Sequence, residues 1–306
     1  MGPATGVSEP FRSFRSFLKE KFPGQRVKKI PINAGFTCPN KDGRISNRGC
    51  IFCDEYGSGP MADFHLPIKE QIERFMAAHP GHKYLAYYQA HANTYAPVSE
   101  LKEKYDIIFA YPDIIGLFIG TRPDAIDDQT YPLLEELNRR TYLCLELGLQ
   151  SIHEQSLQFL NRGHTYSRFL QGFERLKAGK IDVLVHLILG IPGEDRPAML
   201  DTVREMNRIQ PAGIKFHLLH VLENTRLYDL YRAGEIRLLE MEEYCDLAVF
   251  LLERLDPGIV IHRLTSERER QIFHAPAWVL NKIAVINRIR AMMRERQSFQ
   301  GKFLDR

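Results

Sequence analysis

Three cysteines stand close together near the start of the chain: Cys38, Cys50 and Cys53, spaced C-x11-C-x2-C. A C-x2-C pair lets one tight turn aim two sulfurs at one metal centre. The polar, glycine-containing stretch from Pro39 to Gly49 lets the third sulfur fold around it. Soft thiolates select zinc, copper(I) or iron–sulfur clusters. A closed structural zinc site takes four ligands, and a standard cluster takes four cysteines. The remaining two of the five cysteines, Cys144 in a strand-like run and Cys245 in a helical one, read as small buried hydrophobes. Three thiolates leave one metal position open for a small-molecule ligand. The competing reading is a zinc site completed by His65 or by a histidine from farther along the chain.

The elements that position this loop alternate regularly. Val27–Gly35 reads as a strand directly before it. Strand-like runs follow at Lys83–Gln89, Ile114–Gly120, Thr141–Gln150, Ile181–Gly190 and Gly213–Val221. Helical stretches separate them at Val98–Ile108, Asp127–Arg140, around Leu157 and Phe169, and at Pro197–Ile209. The strands are near-continuous apolar runs, the pattern of strands covered on both faces in parallel sheets. Alternation with short Gly/Pro punctuation predicts βαβ units. Six strands predict an α/β fold, a partial (β/α)6 TIM-type barrel, since a full eight-stranded barrel takes about 250 residues. In such barrels chemistry sits at the C-terminal ends of the strands, where the cysteine loop lies.

The division predicted is a leader over 1–26, the partial barrel over 27–222 with its cysteine loop at 36–58, and an α-rich C-terminal extension over 223–306. In the leader, Phe11, Phe14, Phe17 and Leu18 recur at helical spacing between basic residues. In the extension, Leu238–Leu255 is a helix ended by Asp256-Pro257-Gly258, and Ile259–Leu264 suits one more strand. Trp278–Arg296 is an amphipathic helix carrying Lys282, Arg288, Arg290, Arg294 and Arg296 on its polar side.

The 306 residues, 44% hydrophobic and 26% charged, suit a soluble globular enzyme. The longest apolar run, near Leu184–Ile191, is too short to span a bilayer, so no membrane partner is expected. The first residues do not read as a signal peptide, and an odd number of cysteines argues against a disulfide framework. A reduced, cytoplasmic protein is expected. The net charge of +3 permits a polyanionic partner without requiring one.

Several motifs follow the strands in order. The loop reads FTCPNKDG…GCIFC, with Phe52 just before the last cysteine. YYQAHANTYAP (Tyr87–Pro97) follows the second strand and GTRPDAI (Gly120–Ile126) the third. LELGLQS (Leu145–Ser151) ends the fourth, with LNRGH (Leu160–His164) after it. HLILGIPGE (His186–Glu194) ends the fifth, and KFHLLHVLENTRL (Lys215–Leu227) carries the sixth. On these motifs the chain resembles the radical S-adenosylmethionine (SAM) superfamily. Within it, the resemblance is to the branch of oxygen-independent coproporphyrinogen III oxidase and Elp3, and there to the YhcC/YtqA family. It covers roughly Val27 to Val221. The eleven-residue gap differs from the three-residue gap commonest in the superfamily, and is similar in kind to the Elp3-type loop.

The resemblance implies that Cys38, Cys50 and Cys53 hold a [4Fe-4S] cluster whose open iron chelates SAM. It implies reductive cleavage of SAM to a 5′-deoxyadenosyl radical that abstracts a substrate hydrogen. The protein's part is to position the cofactors and exclude competing reactions. Carried over by motif position, the SAM contacts are Gln89, Arg122, Glu146, Gln150, Arg162 and His186. Glu146 and Gln150, four apart in a strand, are expected on one face. A buried Glu146–Arg122 ion pair is the structural alternative. The kinship with Elp3 implies tRNA wobble-uridine modification at a C5 side chain, such as that of carboxymethylaminomethyl-uridine, and an external flavodoxin- or ferredoxin-type electron donor. The basic terminal helices would then supply phosphate contacts and base stacking, or else simply cover the core. Tyr87, Tyr88, His91 and Tyr95 are candidates for substrate-facing residues, a radical relay, or packing. A small metabolite or tetrapyrrole is the alternative substrate, and a zinc-stabilised RNA-binding module the alternative function.

Overall fold

The computed structural model describes residues 9–57, 65–266, 268 and 270–304. The six expected strands are β1 (Val27–Ile32), β2 (Lys83–Tyr88), β3 (Ile114–Thr121), β4 (Tyr142–Gln150), β5 (Asp182–Leu189) and β6 (Gly213–Leu218). Each pairs in parallel with the next. After a two-residue β7 (Val221–Leu222), β8 (Val260–Arg263) adds a seventh parallel strand beside β6. The sheet order is β1-β2-β3-β4-β5-β6-β8, curled into an open half-barrel, while β9 (Phe273–Ala275) pairs antiparallel with β7. The seventh strand comes from the C-terminal extension, so barrel and extension share one sheet. Residues 1–8 of the leader, Ser58 of the cysteine loop and 305–306 of the tail lie outside the described residues.

The helices are α1 (Phe14–Lys21), α2 (Ile68–Ala78), α3 (Val98–Asp106), α4 (Thr130–Arg140), α5 (Glu154–Phe159), α6 (Tyr166–Ala178), α7 (Arg196–Ile209), α8 (Arg226–Arg232), α9 (Met241–Leu252) and α10 (Lys282–Glu295). The sequence reading did not place α2 or α8. Along every strand alternate residues, among them Ile30, Ala86, Leu117, Leu145, Val185 and Phe216, point outward into the core shared with the helices. The inward residues begin apolar: Leu85, Phe118, Cys144 and Leu184 form a small inner cluster. Toward the strands' C-terminal ends the inward positions turn polar, at Glu146, His186 and Lys215. The strands therefore look uniformly apolar only over their first halves. Cys144 lies in the inner cluster and Cys245 in the main core, both as small hydrophobes.

The leader helix has a structural task. Phe14, Leu18 and Phe22 pack against the inner cluster, with the Phe14 ring 6.1 Å from that of Phe118 and 4.2 Å from that of His262. The Ile261 N–H donates to the Arg12 carbonyl at 2.8 Å. This segment stoppers the barrel at the strands' N-terminal ends, where it covers apolar side chains that would otherwise face water. At the other terminus α10 buries Val285, Ile289 and Met293. Its basic side chains pair with acids: Arg288 with Glu242 and Glu295, and Arg290 with Glu9. Arg296, just past the helix, pairs with Asp246. Among the described residues no helix is long and apolar enough to cross a membrane.

Candidate active site

The cysteine loop is a self-bonded turn rather than an extended strap. The Lys41 and Asp42 N–H groups donate to the Cys38 carbonyl at 2.8 and 3.1 Å, and the Gly49 N–H returns to the Asn40 carbonyl at 2.7 Å. The Cys53 N–H closes the C-x2-C turn on the Cys50 carbonyl at 3.1 Å. Gly49 sits at φ +67°, a left-handed backbone that glycine adopts without a Cβ penalty, immediately before Cys50. The loop is then clamped from outside. Asn40 Nδ2 donates to the Asn161 carbonyl at 2.7 Å, and Asn161 Nδ2 donates back to the Gly49 carbonyl at 2.6 Å. The LNRGH motif thus locks the loop through its asparagine and reaches Cys50 through its arginine.

Cys38, Cys50 and Cys53 line one pocket at the C-terminal ends of the strands, and Gln89, Arg122, Glu146, Gln150, Arg162 and His186 line the same pocket. Cys50 receives Arg162 Nη1 at 3.1 Å, Asn40 Nδ2 at 3.5 Å and Arg122 Nη1 at 3.9 Å. Burial pushes the Cys50 thiol up, but the Arg162 and Arg122 guanidiniums outweigh it and hold the group below the ordinary thiol value. Burial pushes Cys53 up to about 12 against the pull of Lys41, and raises Cys38 against the pull of Arg122. The protein's own charges thus favour a thiolate at Cys50 more than at Cys38 or Cys53. The Arg162 Nε is buried without a hydrogen-bond partner, a donor left over for a ligand. Gly148 makes room for this arginine: a Cβ there would lie 3.1 Å from Arg162 Nη2 and 3.0 Å from Gln150 Nε2.

The Glu146–Arg122 ion pair is overturned. Arg122 forks onto Asp124, at 3.0 Å through Nε and 2.8 Å through Nη2. Glu146, its side chain fully buried, instead takes Lys29 at 2.8 Å, His186 at 2.9 Å and Lys215. Burial raises the Glu146 carboxyl, yet the two ammoniums carry it well below its ordinary value. Glu146 and Gln150 do reach one pocket, although a register shift intervenes and Gln150 sits at φ +83°. The tyrosine cluster divides. Tyr87 and His91 line the pocket, while the Tyr88 hydroxyl donates to the Lys104 carbonyl at 2.7 Å in the outer core. His65, the candidate fourth zinc ligand, is exposed. Among the described residues no three His, Cys, Asp or Glu side chains are grouped to hold a single metal ion. Cys38, Cys50 and Cys53 together offer three soft thiolate donors to one pocket.

Sequence reasoning missed Asn40, Asn161, Lys215, His217, His220 and Arg263. Alternation along β6 carried a signal for two of them, since Lys215 and His217 share the parity that faces inward. Burial holds His186 and His220 down to about 4, with Lys215 adding to it at His186. These imidazoles are neutral when folded at pH 7 and charge more readily when unfolded, near 6.5. The unfolded state then binds more protons below pH 6.5, so stability falls as pH drops toward 4. On the order of 1–2 kcal/mol per histidine is expected to be lost between pH 7 and 5. Urea unfolding of the metal-free protein at both pH values checks this, and a His220→Phe variant should show a smaller loss.

Two family models match, the radical SAM superfamily over residues 41–206 and the radical SAM C-terminal domain over 211–295. YtqA from Bacillus subtilis is 36% identical, covering 99% of this chain and 96% of that protein. A tRNA uridine(34) acetyltransferase from Methanocaldococcus jannaschii is 29% identical over 44% of this chain and 25% of that protein. The solved structure of Methanocaldococcus infernus Elp3 superposes with a TM-score of 0.65 at 20% identity, covering 90% of this chain and 64% of that one, a likeness of fold. The half-barrel, the cysteine-lined pocket at its mouth and the two matched models agree: this chain belongs to the radical SAM superfamily and is an enzyme of that kind.

Proposed function

We propose that Cys38, Cys50 and Cys53 hold a [4Fe-4S] cluster, with SAM bound against Gln89, Arg122, Glu146, Gln150, Arg162 and His186, and that the enzyme modifies the C5 side chain of a tRNA wobble uridine. The observation that carries the cofactor reading is that three cysteines and six polar residues from five further motifs line a single pocket. When bound, the reduced cluster supplies the electron that cleaves SAM to a 5′-deoxyadenosyl radical. The chain's own residues set the frame. Asn40, Arg122 and Arg162 direct N–H groups at Cys50, which stabilises a thiolate there. Asp124 holds the Arg122 fork in place. Arg162 keeps its Nε for a ligand acceptor.

The tRNA part rests on the relative whose name specifies tRNA uridine(34). A flavodoxin- or ferredoxin-type protein is the proposed electron donor. The basic C-terminal helix, with Arg288 and Arg290 in ion pairs, offers a phosphate less than its composition suggests. Anaerobic incubation with SAM and dithionite is expected to yield 5′-deoxyadenosine, and a deletion strain is expected to show an altered wobble nucleoside by mass spectrometry of its tRNA. A protein that takes up zinc alone and forms no 5′-deoxyadenosine would sink the cofactor reading. Unchanged tRNA nucleosides would sink the substrate reading alone.

A further inference from the structure

Of the residues between Cys38 and Cys50, Lys41 and Gly49 line the pocket, while Arg44 and Arg48 of the same loop are exposed. Lys41 is held at both ends. Its N–H donates to the Cys38 carbonyl at 2.8 Å, and its ammonium donates to the carbonyl of Asp54, the residue after Cys53. Its stem passes over Gly49, the residue before Cys50, where a Cβ would lie 3.2 Å from both Cγ and Cε of Lys41. One side chain therefore runs from the first cysteine, past the second, to the third. Its charge acts on them: burial pushes the Cys53 thiol up, and Lys41 supplies the pull against it. Tethered in this way, the ammonium is a fixed charge beside the C-x2-C turn rather than one swinging in solvent. Removing a single fixed cation acts with the same sign on a neighbouring group, whatever the remaining charges sum to.

We propose that Lys41 tunes the reduction potential of the cluster held by Cys38, Cys50 and Cys53, raising it so that the cluster accepts its electron more readily. This role rests on the cluster reading above. Reduction adds one electron, so the reduced cluster carries one more negative charge than the oxidised cluster. A cation close by stabilises the reduced form, and net charge and surrounding groups are among the levers that set such potentials. The electron comes from the external donor, and no bond in the chain is made or broken. Lys41 is thus a positioning residue for charge and not a ligand.

The test is a redox titration of the reconstituted full-length protein without SAM, followed by the electron paramagnetic resonance signal of the reduced cluster. Lys41→Met is expected to lower the midpoint potential, making reduction about tenfold less favourable, which is about 59 mV for a one-electron couple. Lys41→Arg keeps the charge and is expected to stay close to wild type. Arg294→Gln, a charge change at an exposed position of α10, is expected to leave the potential unchanged. Iron and sulfide analysis establishes that each variant carries a cluster, and Lys41→Gln is titrated where Lys41→Met does not. An unchanged or raised potential in the neutral variant overturns the proposal, as does an equal fall in Lys41→Arg. If neither neutral variant assembles a cluster, Lys41 serves to build the loop and the proposal is likewise overturned. A wild-type protein that takes up no iron–sulfur cluster overturns the cofactor reading itself.

Discussion

Cys50→Ala is expected to abolish cluster assembly. Anaerobically reconstituted wild-type protein should carry about four irons and four sulfides per chain. The variant should retain almost none and should form no 5′-deoxyadenosine above background. Cys50 is the most deeply held of the three sulfurs, buried and approached by Asn40, Arg122 and Arg162. Its removal takes away a proposed ligand and also strands the donors that approach its sulfur. Cys144→Ala is the matched control. Its thiol is buried in the inner apolar cluster and pushed far up by burial, so it should keep the full iron content. Iron and sulfide analysis of both variants decides the matter. Full iron in Cys50→Ala, or loss in Cys144→Ala, would reassign the ligands.

Glu146→Ala is expected to cost about 3–5 kcal/mol of folding stability, the penalty for breaking a buried charge network by removing one partner. The side chain is fully buried between Lys29 at 2.8 Å, His186 at 2.9 Å and Lys215, and among the described residues lining the pocket it is the one carboxylate. The penalty has a pH signature. Burial already holds Lys215 down to about 7 even with Glu146 present to oppose it. Without the carboxylate its value falls further, so the variant suffers most at low pH, where the unfolded chain keeps both lysines charged. As pH rises past 7 wild-type Lys215 itself loses its proton, the ion pair it forms weakens, and the difference between variant and wild type narrows. Urea titrations of the metal-free proteins at pH 6 and 9 measure it. A loss under about 1 kcal/mol that does not change with pH would show that the network is not held as drawn.

Much of this molecule was legible before its structure. The C-x11-C-x2-C spacing, its place after the first strand, and polar motifs at later strand ends are local properties of the chain. They sufficed for the barrel and for a set of residues that do converge on one pocket. The strands were found because apolar runs reflect burial directly, and the two lone cysteines were placed in the core for the same reason.

Most of what escaped depends on partners distant in sequence. Which base neutralises Glu146 is settled by barrel curvature, which brings Lys29 of β1 and Lys215 of β6 onto a carboxylate of β4, 117 and 69 residues away. Arg122 turned out to serve Asp124, two residues on, because its guanidinium forks back over its own turn. The acids that pair Arg288 and Arg290 come from α9 and the N-terminal segment, far from the tail in sequence. The leader's aromatics were left open between base stacking and covering the core, and Phe14, Leu18 and Phe22 pack on the inner cluster of the half-barrel. The sequence by itself determined which atoms can bind a soft metal and which strands present them, since thiol chemistry and hydrophobic period are carried by neighbours along the chain. Only the tertiary structure decided how the buried charges are shared, because electrostatic balance is a sum over everything within a few ångströms, whatever its place in the chain.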